Sequence, residues 1–160
     1  MVSTIGASFL TKVIEVKQMT KFNIWDTAGQ EKYRALAALY YRGVDCAIIV
    51  YDITSANSFT MVREYWIHEL LRQSDNSENI MIALVGSKCD LEDQREISYA
   101  DGETLANGFN ALFFECSSKT NHNIEEIFIG LADAIPIKEV KPAKPNYILD
   151  VTPKRKKKCC

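Results

Sequence analysis

The sequence predicts an α/β domain: a mostly parallel sheet with an antiparallel hairpin at one edge. Two observations carry that expectation. Three short apolar runs, 44–53 (VDCAIIVYDI), 80–85 (IMIALV) and 111–116 (ALFFEC), alternate with segments whose apolar residues recur at helical spacing. Ahead of them, residues 7–17 (ASFLTKVIEVK) alternate in part between apolar and polar. KFNIWD (21–26) reads as the returning strand after a turn over 17–21.

A loop containing Gly29 leads into a short helical stretch through Tyr41. The run over 44–53 is almost unbroken, as in a parallel strand covered on both faces. Residues 55–73 have helical spacing, with Ser55 as the N-cap. A second buried strand follows over 80–85, then a helix over 99–107, a third buried strand over 111–116 and a last helix over 124–135. Beyond Ile137, prolines and lysines replace large apolar residues. The expected organisation is one domain over 1–137 and a disordered tail over 138–160.

Composition narrows the function classes. A chain of 160 residues, 47% hydrophobic and 25% charged, suits one globular domain that needs no disulfide or structural metal. The net charge of −2 conceals the basic run Lys154, Arg155, Lys156, Lys157 and Lys158 on an acidic body. That asymmetry argues against nucleic acid as the main partner and for an interacting tail. Cys46, Cys89 and Cys116 sit in or beside apolar runs and read as buried free thiols. His68 and His122 stand alone, so no zinc-ligand spacing exists. No apolar stretch is long enough to span a bilayer and no signal peptide opens the chain, so a cytosolic protein is expected unless something attaches it to a membrane.

In a parallel sheet, ligands sit beyond the carboxyl ends of the strands. Polar segments follow four such ends, after Trp25, Ile53, Val85 and Cys116. In Trp25-Asp26-Thr27-Ala28-Gly29-Gln30-Glu31, an acid ending a strand can hold Mg²⁺ through water. Gly29 lets a backbone N–H approach a phosphate oxygen, and Gln30 can orient an attacking water. The plain alternative is a strand-to-helix turn that uses glycine for its backbone freedom.

That heptapeptide matches the small-GTPase switch II signature, and the chain resembles a Rab small GTPase from Thr4 through Ile135 and in its tail. Residues 2–9 (VSTIGASF) resemble the second half of a Rab switch I. KFNIWD, Lys32-Tyr33-Arg34, Tyr40-Tyr41-Arg42-Gly43 and Tyr51-Asp52-Ile53-Thr54 resemble strings that separate Rabs from other small GTPases. The run Ile5-Gly6-Ala7-Ser8-Phe9-Leu10-Thr11 is similar to the early-endosomal branch. The resemblance implies that Thr4 and Asp26 serve Mg²⁺ and that Ile5, Phe9, Trp25 and Tyr40 belong to a surface read by effectors. For Phe9 and Tyr40, ordinary core packing is the competing reading. Gly86-Ser87-Lys88-Cys89-Asp90 occupies the place of the family's Asn-Lys-x-Asp. Asp90 would accept from guanine N1–H and the 2-amino group, and the stem of Lys88 would lie over the base. Ser87 stands where the family has Asn and is too short to brace neighbouring loops as that amide does. Ser117-Ser118-Lys119 resembles the family's Ser-Ala-Lys, whose middle backbone N–H meets guanine O6.

The phosphate-loop pattern G-x-x-x-x-G-K-S/T is not among these residues: none of the seven glycines precedes a lysine. The fold expected from the resemblance is therefore the small-GTPase sheet without its first strand and first helix. In the family that strand lies between the strands ending at Trp25 and Ile53, so two unpaired edges should face a gap. The tail ends in Cys159 and Cys160 behind its basic run, the pattern of a doubly prenylated Rab. The resemblance implies GTP/GDP and Mg²⁺ as ligands of the complete form; without the phosphate loop, weak or absent binding and no hydrolysis are expected of the chain as given. As partners it implies effectors, an exchange factor, a GTPase-activating protein, an escort protein and a prenyl transferase. It places the protein on the cytoplasmic face of endosomal or other vesicle membranes, with a cytosolic pool. The expected function is a GTPase of vesicle traffic in the complete form. The alternative is a truncated, nucleotide-free prenylated interaction module or a fragment without function.

Overall fold

The computed structural model describes residues 7–16, 19–27, 40–75 and 79–136. Strands β1 (Ala7–Glu15) and β2 (Met19–Thr27) form an antiparallel hairpin in which Phe9 faces Trp25 and Glu15 faces Met19. The pairing at Met19 closes the turn two residues earlier than the sequence suggests. Strands β3 (Cys46–Asp52), β4 (Met81–Ser87) and β5 (Leu112–Cys116) form a parallel sheet in the order β3-β4-β5.

β4 is central, and its side chains alternate between two cores. Leu84 packs with Tyr51, Ile53, Phe59, Val62 and Ile67 on one face, and Ala83 and Val85 join Cys116, Ile127 and Leu131 on the other. The first face is covered by α1 (Ala56–Met61), a π-type turn (Val62–Trp66), α2 (Ile67–Gln73) and α3 (Tyr99–Gly108). The second is covered by α4 (Ile124–Ala134), which also receives Ile14 and Phe22 from the hairpin. The Ser55 hydroxyl caps α1 as expected, accepting from the Ser58 N–H at 3.3 Å, and the structure adds Ser98, which accepts from the Asp101 N–H at 3.1 Å at the start of α3.

Two expectations need correction. Residues 55–73 do not form one regular α-helix, because the Ile67 N–H reaches back five residues to the Val62 carbonyl. The adjacent bulky rings Tyr65 and Trp66 stack edge-on within this wider turn, 4.9 Å apart. Nor is β3 covered on both faces, since Ile48 and Val50 are 36% and 55% exposed. β3 hydrogen-bonds only to β4 among the described residues, and β2 only to β1. A cavity of ≈ 840 Å³ lies between them, lined by consecutive residues of both strands, as the expected gap requires.

Tyr51 locks the β3–β4–α3 contact. Its ring meets Phe59 edge-on at 4.9 Å, and its hydroxyl is buried with no hydrogen-bond partner among the described residues. A Cβ at Gly102 would overlap that hydroxyl and the Phe113 ring, so only glycine lets α3 approach the sheet here. Tyr51→Phe removes an orphaned polar atom and keeps the ring. It should leave stability unchanged or raise it by about 1 kcal/mol, while Gly102→Ala should lower it by about 1–3 kcal/mol. Urea denaturation of both variants checks this; a clear loss in Tyr51→Phe would show that the hydroxyl is bonded after all.

Candidate nucleotide site and aromatic surface

The ends of β3, β4 and β5 converge. Ser87, the last residue of β4, pairs with Asp52 on one side and Cys116 on the other. Beyond it the Cys89 N–H donates to the Cys116 carbonyl at 3.1 Å, holding the loop after β4 against the loop after β5. The Ser87 hydroxyl donates to the Tyr51 carbonyl at 2.7 Å. It therefore fastens β4 to β3 and does not reach the loop after β5, in agreement with its short side chain.

Asp90 and Ser117 come together across those loops. The buried Ser117 hydroxyl donates to Asp90 Oδ1 at 2.6 Å and accepts from the Thr120 N–H at 3.2 Å. The Ser117 hydrogen bond, with help from Lys119 and Lys88, holds the Asp90 carboxyl below the usual carboxylate range. Lys119 Nζ stands 3.8 Å from Asp90 Oδ2 and is largely exposed, as is Ser118. Asp90 is thus a fixed anion whose second oxygen remains beside a cation, and a carboxylate can accept several N–H groups at once. The set suits a planar ligand edge that presents two adjacent donors.

Lys88 has a left-handed backbone, φ 65°, costly for a long side chain. Its ammonium pairs with Asp52, whose Oδ1 also accepts from the Thr54 N–H at 2.9 Å and hydroxyl at 2.7 Å. Burial alone would raise the Asp52 pKa, but the bonds from Lys88 and Thr54 outweigh it and lower it. For Asp52 and Asp90 alike, a lowered folded-state pKa means a stabilising contribution complete above the ordinary carboxylate range. That contribution is lost as pH falls through the lowered value. The reading from sequence assigned Asp52 no role. An Asp two residues before Thr at a strand end, the signature of a side-chain-closed turn, was the available signal.

A second missed group braces β5. Arg95 Nη1 and Nη2 reach Glu115 Oε1 and Oε2, each at 2.7 Å, and Nε and Nη2 reach Glu92 at 2.8 and 2.7 Å. Asn123 Nδ2 donates to the Glu115 carbonyl at 2.8 Å, tying this fork to the loop that carries Ser117.

On the hairpin's open face, Phe9 and Trp25 lie 4.9 Å apart and Trp25 and Tyr40 5.0 Å apart. Phe9 is 54% and Trp25 49% exposed, so core packing does not account for either. Tyr40 is half-buried against them. Asp26, the last residue but one of β2, follows Trp25 and pairs across the hairpin with Ser8. Thr4, Ile5, Gly29, Gln30, Cys159 and Cys160 lie outside the described residues. Cys46, Cys89 and Cys116 are free thiols, but only Cys116 is fully buried.

A parallel sheet whose strand ends present a fixed aspartate, a lysine and a serine-rich loop, flanked by an antiparallel hairpin, is the architecture of the small GTPases. The Ras family profile matches residues 1–137, and the chain belongs to that family. Among its relatives, Ras-related protein Rab-22A of Mus musculus is 43% identical over 98% of this chain and 81% of its own length. GTP-binding protein ypt5 of Schizosaccharomyces pombe is 48% identical over 86% of this chain and 65% of its own length. Both support a place in the Rab branch.

Breaking the fork at β5 should be costly. Arg95→Met leaves Glu115 half-buried without its cation, and about 2–4 kcal/mol of stability should go. Adding Glu115→Leu should restore most of it, because two apolar groups replace two charges. Thermal denaturation of the two variants reads this, and additive losses in the double variant would rule it out.

Proposed function

We propose that the chain belongs to a Rab-type GTPase of vesicle and endosomal traffic that binds and hydrolyses GTP in its complete form, with Asp90 as the residue that selects guanine. The Asp90–Ser117 pair carries this reading: a held carboxylate beside the β4 and β5 strand ends matches the N1–H and 2-amino donors of guanine, which adenine lacks. The stem of Lys88 lies over the base, the Ser118 N–H faces O6, and Lys119 flanks the carboxylate. In GTP hydrolysis by the complete form, Thr4 and Asp26 would hold Mg²⁺, Gly29 would let a backbone N–H approach a phosphate oxygen, and Gln30 would orient the attacking water. Mg²⁺ would neutralise phosphate charge there; the chain's own part is positioning.

Ile5, Phe9, Trp25 and Tyr40 form the surface offered to effectors; the exposure of Phe9 and Trp25, and the stacking of Trp25 on Phe9 and Tyr40, support it. An exchange factor and a GTPase-activating protein reset the switch. An escort protein and a prenyl transferase modify Cys159 and Cys160, and the basic run adds attraction to an anionic leaflet of an endosomal membrane. The alternative of a nucleotide-free interaction module draws on the same aromatic surface but leaves the Asp90 arrangement without a purpose.

Asp90→Asn tests the base assignment in protein extended ahead of Met1 by a family-type phosphate-loop segment. An amide donates where the carboxylate accepts, so preference should move from guanine toward xanthine by about tenfold or more. Competition binding with GDP and XDP reads the shift; unchanged selectivity defeats the assignment. In the same protein Gln30→Leu should slow single-turnover hydrolysis while GTP affinity holds.

A further inference from the structure

Two carboxylates stand within electrostatic range of one ammonium at the ends of β3 and β4. Lys88 pairs with Asp52, and its charge also helps lower the pKa of Asp90, two residues further along the chain. Asp90 Oδ1 is engaged by the Ser117 hydroxyl at 2.6 Å, and Lys119 stands off Oδ2 at 3.8 Å. A second ammonium settled on Oδ2 would take the acceptor that a ligand's donor edge needs. On the other side, Asp52 is held firmly. Its Oδ1 accepts from the Thr54 N–H at 2.9 Å and hydroxyl at 2.7 Å, and its own N–H donates to the Ser58 hydroxyl at 3.0 Å. The turn after β3 thus fixes the carboxylate, with Oδ2 presented to Lys88.

We propose that Asp52 is a positioning residue of the nucleotide site: it draws the Lys88 ammonium to the end of β3 and so leaves Asp90 Oδ2 open to the donors of a guanine edge. The proposal rests on the reading of Asp90 as the base-selecting residue and adds to it a residue that does not touch the base. The Lys88 and Asp52 side chains are 52% and 21% exposed, and an ion pair so open to water contributes little to folding. Its effect is instead to choose one place for a long, rotamer-rich side chain. Two anchors then draw the loop after β4 in opposite directions: Lys88 toward β3 through Asp52, and Asp90 toward β5 through Ser117. Ser87 does not share this task, because its hydroxyl bonds the Tyr51 carbonyl within the sheet at 2.7 Å. A lysine two residues from the base-selecting acceptor needs a second carboxylate to hold it off, and Asp52 is the one the fold supplies.

Asp52→Asn separates this role from the turn, since an amide oxygen still accepts from Thr54 while the negative charge is gone. In the full chain, nuclear Overhauser contacts of the Lys88 ε-protons should move from the Asp52–Thr54 turn to Asp90; an unchanged pattern overturns the proposal. GDP is the probe for the consequence, in the protein extended by a phosphate-loop segment as above. Asp52→Asn should weaken GDP binding about threefold or more at low salt, and the loss should shrink at about 1 M salt, where exposed charges are screened. Preference for GDP over XDP should persist, because Asp90 is untouched. In the Lys88→Met background the same change should cost nothing, since no ammonium remains to settle on Asp90. Equal losses in both backgrounds mark a merely structural part and overturn the proposal, as does unchanged GDP affinity. A parent that binds GDP and XDP alike defeats the reading of Asp90 itself, before any change at Asp52, and the proposal falls with it.

Discussion

Burial of β4 on both faces is the constraint on which the other features rest. Ile82, Ala83, Leu84 and Val85 are almost fully inaccessible, and the strand is hydrogen-bonded on both sides. At about 1.5–3 kcal/mol for each large apolar side chain buried, few positions in the chain contribute as much per residue. Because its side chains enter two cores, β4 joins the helices of one face to α4 and the hairpin on the other. It also sets the site: a strand fixed this firmly delivers Ser87, Lys88 and Asp90 to one place, and its neighbour β5 delivers Ser117. Recognition of a base needs polar groups held in register before the ligand arrives, and here the sheet supplies that order.

Polar groups at the strand ends refine what the core begins. Asp52 compensates a left-handed Lys88, Ser117 fixes Asp90, and Arg95 holds the end of β5. Each is a charge-assisted or buried bond, where loss of one partner costs more than the bond's own net value. Ser87 is a modest substitute among them. Its hydroxyl bonds inside the sheet, so the two loops are held together by the Cys89 N–H and Cys116 carbonyl and by the Asp90–Ser117 pair.

Much of this was legible in the sequence, for physical reasons that differ by element. IMIALV announces β4 because only a strand covered on both faces tolerates so unbroken an apolar run. Ser55 and the Gly-x-Lys-x-Asp segment announce themselves through residue types that few environments require. VDCAIIVYDI misleads on one point: composition records that Ile48 and Val50 suit a covered face, not whether a neighbour covers them. The π-type turn at Val62–Trp66 leaves no signal in apolar spacing, since one extra residue per turn lies within the tolerance of the pattern. Asp52–Lys88 and Arg95–Glu115 join residues 36 and 20 positions apart, which only the folded topology brings together.

If β4 is the element that organises the fold, its amides should open only when the whole domain unfolds. Native-state hydrogen exchange across the chain tests this most directly. The amides of Ile82–Val85 should be the slowest, exchanging with the free energy of global unfolding measured by urea. The amides of β3 and of the hairpin, each with an edge open to the cavity, should exchange through smaller openings. Exchange from β4 as fast as from β1 and β2 would contradict the account.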